Sequence, residues 1–117
     1  MQTDNAIKRG EVWIADLPEV GGSVQQGTRP VLIMQNDFGN YFSDIVIVAC
    51  ITSKIKNMYL PVHIELLEDF LPMDSIVLGE QIMTINKQRL ISKLGKISAD
   101  NQKKVDEVIK ISLNLLT

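Results

Sequence analysis

The run IVIVACIT, Ile45 to Thr52, decides the class of fold. Isoleucine, valine and threonine branch at Cβ, which stiffens the side chain and suits it to a pleated surface. An uncharged apolar run of strand length, with no polar alternation, predicts a strand buried on both faces. Cys50 lies inside this run as a small core thiol, and as the sole cysteine it has no intrachain disulfide partner.

Outward from that strand the punctuation marks short elements. RPVLIMQ (29–35) predicts a second apolar strand, with Pro30 tolerated only at its start because proline cannot donate to a ladder. Before it, Leu17 to Thr28 contains Pro18 and three glycines and predicts a loop, and GEVWIAD (10–16) alternates as a strand, Val12 and Ile14 inward. NDFGNYFSD (36–44) predicts a turn centred on Gly39 and Asn40. Downstream, SKIKNMYLP (53–61) predicts a loop, Pro61 opens a strand through VHIEL, SIVLGE (75–80) predicts another, and ISKLGKI (91–97) a weaker one interrupted by Gly95. Then the period changes. Ser98 fits an N-cap, Asp100 the first helical turn, and Val105, Val108, Ile109, Leu113 and Leu116 recur at helical spacing. Five or six short strands and one C-terminal helix predict a mainly β, α+β domain spanning residues 1–117: a small, strongly bent antiparallel barrel or half-barrel with helix packed outside.

The 117 residues carry 12 Lys+Arg against 14 Asp+Glu, net −2, which argues against a general nucleic-acid coat. The distribution is uneven. Val20–Asn36 with Arg29, Ile45–Ile64 with Lys54 and Lys56, and Gln81–Ala99 with Lys87, Arg89, Lys93 and Lys96 contain no acid, so a fold that gathers them makes one face locally positive. The N-terminal stretch lacks the apolar core of a signal peptide, no run is long enough to span a membrane, and the lone cysteine suits a reducing compartment. A cytoplasmic protein is expected.

No paired-cysteine or histidine-rich metal spacing, phosphate-cradling glycine loop or nucleophile elbow is present, so neither metal nor cofactor is expected. His63, the sole histidine, reads as structural. Two residues stand out by position. Arg29 begins a buried strand directly after a glycine-containing loop, so a rigid backbone can aim its guanidinium at the open end of a barrel; Thr52 ends the most apolar strand. On spacing alone, Arg29 pairing with an acid at the rim and Thr52 capping a turn is an equal alternative.

The ordered set KRGEVW, GSVQQG, RPVLI followed by QND, the strand-ending IT, and EQIMTINKQRL resembles the MazF/PemK family of toxin ribonucleases across nearly the whole chain. The resemblance implies an SH3-like barrel, a homodimer, single-stranded RNA as substrate, metal-independent cleavage and inhibition by a cognate antitoxin. It also implies Arg29 and Thr52 as catalytic residues, Ser23 and Gln25 in a substrate-contacting loop, and Gln81 near the RNA. Lys54, Lys56 and Lys87 would attract the phosphate backbone. Met58 and Tyr59 would face bases or pack on the barrel.

Two positions depart from the family pattern. Val24 stands where many relatives carry an acid, so no general base is evident, and Met83 replaces a frequent arginine. A barrel that has lost efficient catalysis and binds RNA or an antitoxin peptide is therefore the competing expectation, and a purely structural partner with no RNA affinity is a third.

Overall fold

The structure, a computed structural model, describes residues 6–53, 60–72 and 74–115. In chain order the elements are β1 (Glu11–Leu17), β2 (Gly27–Ile33), α1 (Asp37–Phe42), β3 (Ile45–Thr52), β4 (His63–Leu66), β5 (Ser75–Asn86), a single 3-10 turn (Lys87–Arg89), β6 (Leu90–Lys96) and α2 (Ala99–Leu113). Among the described residues the strands form one six-stranded sheet in the order β4-β5-β3-β2-β1-β6, every neighbouring pair antiparallel. β4 and β6 do not pair, so the sheet bends without closing into a complete barrel.

β3 sits mid-sheet and feeds two cores. Val46, Val48 and Cys50 join Ala15, Leu17, Val31, Ile33, Ile76, Leu78 and Ile85 on one face. Ala49 and Ile51 join Val12, Leu32, Leu66, Val77 and Val105 on the other, which α2 covers with Val105 and Ile109. Each buried aliphatic side chain contributes roughly 1.5–3 kcal/mol relative to exposure. The two-sided burial expected of β3 holds for its second half only. Ile45 and Ile47 are 43% and 40% exposed, because they lie on the α2 face but outside the cluster that the helix covers. β1 likewise feeds both cores, with Ala15 and Leu17 as buried as Val12.

Residues 36–44 form a short helix where a turn was expected. Asn36 is its N-cap, with Oδ1 accepting from Gly39 N at 2.8 Å, and buried Asn40 Nδ2 donates to Gln35 O and Asp37 Oδ1. The same Asp37 oxygen accepts Arg9 N at 2.7 Å, and that bond leads the effects holding the Asp37 carboxyl below its ordinary range.

α2 begins as expected at the N-cap Ser98, whose Oγ accepts from Asn101 N. Glu68 Oε2 adds a carboxylate at this positive helix end, accepting Ser98 N at 2.8 Å and Asn101 Nδ2 at 2.7 Å. Gly95, which weakens the strand pattern of β6, is the seat of an aromatic ring: a Cβ there would lie 2.4 Å from Phe70 Cδ2. Among the described residues no helix is long and apolar enough to cross a membrane.

Candidate active site

Strand register brings Arg29 and Thr52 together. β2 and β3 pair as Ile33↔Val48, Leu32↔Ala49 and Val31↔Cys50, and the ladder stops there, next to Pro30, which has no N–H to offer. Arg29 and Thr52 each lie two residues beyond that last pair, at the same end of the two strands. Flanking partners fix both backbones: Arg29 pairs with Ala15 across β1, and Thr52 with Ile76 across β5.

Thr52 is 7% exposed and Arg29 is half-buried. Arg29 Nε donates to Gln26 O at 2.8 Å, leaving the remaining guanidinium donors for a ligand. The alternative that Arg29 pairs with an acid does not hold: among the described residues no carboxylate lies within ion-pair distance of it. A partly desolvated cation that meets no counter-charge among the described residues favours an anionic partner. Beneath it, burial pushes the Cys50 thiol up to about 11, while the Arg29 charge draws it down and Glu80 raises it.

The loop between β1 and β2 turns through Gly21, Gly22 and Gly27, all at positive φ (78°, 65° and 83°), where other residues would be strained. Gln26 staples it, Oε1 accepting both Val20 N and Gly21 N at 3.0 Å. Gln81 holds it from across the sheet: Oε1 accepts Gln25 N at 2.7 Å and Nε2 donates to Ser23 O at 3.1 Å. Ser23 and Gln25 thus meet Gln81 through their backbones. Gln25 Oε1 is buried and finds no hydrogen-bond partner among the described residues. Val24 stands exposed at the loop tip.

Other expected residues fall elsewhere. Lys87 follows Asn86, which pairs with Ile45 at the end of β3 remote from Thr52, and its Nζ donates to Asn40 O beside α1. Lys54, Lys56, Met58 and Tyr59 lie outside the described residues. Met83 packs against the inner core. His63 is satisfied by Glu80 at 2.9 Å across the β4–β5 pair. Among the described residues no cluster of three or more His, Cys, Asp or Glu could hold a metal ion.

Gln26 was missed by the sequence reading. Its one available signal is its place between positive-φ glycines, where a side-chain amide can satisfy turn backbone.

The open, bent six-stranded antiparallel sheet with its C-terminal helix packed outside defines a small half-barrel, with Arg29 and Thr52 at one end of its strands. The sequence profile of the PemK-like, MazF-like toxin of type II toxin-antitoxin system matches residues 8–113, and the chain belongs to that family. Endoribonuclease EndoA of Bacillus subtilis is 48% identical over 112 residues, covering 94% of this chain and 97% of that protein. The fold agrees with MazF of Deinococcus radiodurans (TM-score 0.83, 19% identity, covering 96% of this chain and 100% of that one). It agrees also with a mycobacterial endoribonuclease solved in complex with its cognate antitoxin (TM-score 0.79, 24% identity, 96% and 99% covered).

Proposed function

We propose that this chain is the endoribonuclease toxin of a toxin–antitoxin pair, cutting single-stranded RNA in the cytoplasm as a homodimer, with residues 1–117 acting as one domain. The observation that carries this reading is the half-buried Arg29 guanidinium, which meets no carboxylate among the described residues and lies at the strand end that also carries Thr52. The family relationship and the 48% identity to an endoribonuclease support the reaction class.

Cleavage needs no group beyond the RNA and the protein. The 2′-oxygen attacks the adjacent phosphorus, the bond to the 5′-oxygen breaks, the 2′ proton leaves to a base, and a proton is delivered to the departing oxygen. The products are a 2′,3′-cyclic phosphate and a 5′-hydroxyl. Arg29 clamps the phosphoryl oxygens as their charge builds, in a fork geometry that lysine lacks, and can protonate the leaving oxygen. Thr52 donates its hydroxyl to a non-bridging oxygen. Alignment of the 2′-oxygen, phosphorus and leaving oxygen supplies the remainder. Val24 carries no group that could accept the 2′ proton. An antitoxin segment rich in acidic residues would compete for the same cation.

The test is incubation of a long unstructured RNA in EDTA with the wild-type, Arg29→Ala and Thr52→Val proteins, mapping fragment ends and their chemistry. Discrete cuts bearing cyclic phosphates are expected, abolished by Arg29→Ala and slowed about 10²–10³-fold by Thr52→Val. Full activity in Arg29→Ala refutes its role. RNA bound intact by the folded wild type, without cuts, favours the binding module instead.

A further inference from the structure

We propose that Gln81 is a positioning residue for Arg29, acting through the loop between β1 and β2; the proposal rests on the ribonuclease reading above. The contacts form an unbroken path. Gln81 spends both ends of its carboxamide on loop backbone, accepting from Gln25 N and donating to Ser23 O, residues 56 and 58 positions away. The residue after Gln25 closes the path, because Gln26 O accepts Arg29 Nε at 2.8 Å. The Gln26 side chain closes the loop on Val20 N and Gly21 N, so the segment moves as a unit. The orientation of the guanidinium is therefore inherited from Gln81.

Gln81 owes its own position to an irregularity in β5. Leu78 pairs with Cys50 but Ile82 with the adjacent Ala49, so one step along β3 corresponds to four along β5, and residues 79–81 are extra. Such a bulge bends the strand and re-aims its side chains. Gly79, at the root of the bulge, is pinned by its N–H to Val62 O at 2.8 Å. An amide is the side chain this task calls for, because one group must accept and donate at once. Glutamate in its place keeps the acceptor for Gln25 N and sets a second acceptor against Ser23 O; leucine loses both bonds.

The experiment compares wild type, Gln81→Glu and Gln81→Leu by steady-state cleavage of a short RNA bearing the mapped cut site. It also follows the Arg29 Nε–Hε resonance by ¹⁵N NMR, assigned by its disappearance in Arg29→Lys. The expected result is a kcat lower by about 10–100-fold in Gln81→Leu with KM within about threefold, as for a displaced catalytic group. Gln81→Glu should fall between, and the Arg29 signal should move in both variants while far-UV spectra stay unchanged. An unmoved Arg29 resonance overturns the proposal, as does a raised KM at constant kcat, which would make Gln81 a direct RNA contact. If the wild type cuts no RNA, the ribonuclease reading fails, and the Arg29 resonance alone still decides whether Gln81 orients it.

Discussion

Gly79 and Val62 touch backbone to backbone: Gly79 N donates to Val62 O at 2.8 Å, and a Cβ on residue 79 would sit 2.5 Å from that same oxygen. The approach binds the segment before β4 to the bend of β5, and with it the base of the bulge that carries Gln81. A Cβ there would also lie 2.7 Å from Val108 Cγ1 of α2, so neither neighbour has room to yield.

Gly79→Ala should therefore cost about 2–4 kcal/mol of stability, through overpacking against backbone. Urea denaturation reads it directly as a lower midpoint at constant slope. A midpoint equal to that of wild type would show that the segment can move aside.

Gln25 Oε1 is buried with its hydrogen-bonding capacity unused. Such an acceptor costs roughly 1–3 kcal/mol, and an apolar group of similar shape removes the cost. Gln25→Met should raise the thermal midpoint by a few degrees and lower RNA cleavage, since Gln25 belongs to the loop proposed to touch substrate. A destabilised Gln25→Met protein would mean that the amide is satisfied in solution.

Cys50 is fully buried, and burial raises its thiol from 9.0 to about 11. The folded state thus holds its proton at pH values where the unfolded chain loses it. The contribution is complete below pH 9 and drains away between pH 9 and 11, amounting to about 2–3 kcal/mol. Denaturation midpoints measured from pH 7 to 11 should fall across that window in wild type and fall less in Cys50→Ala. Parallel curves for the two proteins would contradict it.

The second half of β3 and the start of α2 were legible because local signals and tertiary demands agree. Val48 to Ile51 needs burial on both faces and receives it, and Ser98 caps where the period changes. α1 was not legible, because Asn36, Gly39 and Asn40 suit a turn as well as a helix, and the choice is made by the Asn36 and Arg9 hydrogen bonds. β5 was read as ending at Glu80 and runs to Asn86. Its bulge breaks the two-residue period that would have revealed the continuation. Arg29 and Thr52 were singled out from position and resemblance, whereas the contacts of Gln81 with Ser23 and Gln25 depend on strand placement across the sheet, and those of Gln26 on the fold of its own loop. Lys87 shows the reverse case: an acid-free segment suggested a shared face, and β5 carries it to the other end of β3 from Thr52.

β1 has two neighbours of very different age. It pairs with β2 a few residues later, but its other edge waits for Leu90 to Lys96, and the helix that covers the outer core comes later still. A chain made from its N-terminus cannot complete this sheet while those residues are unmade, and such long-range closures are slow. Arg29 is synthesised early but is held on a finished scaffold only once Leu90–Lys96 and α2 have followed it.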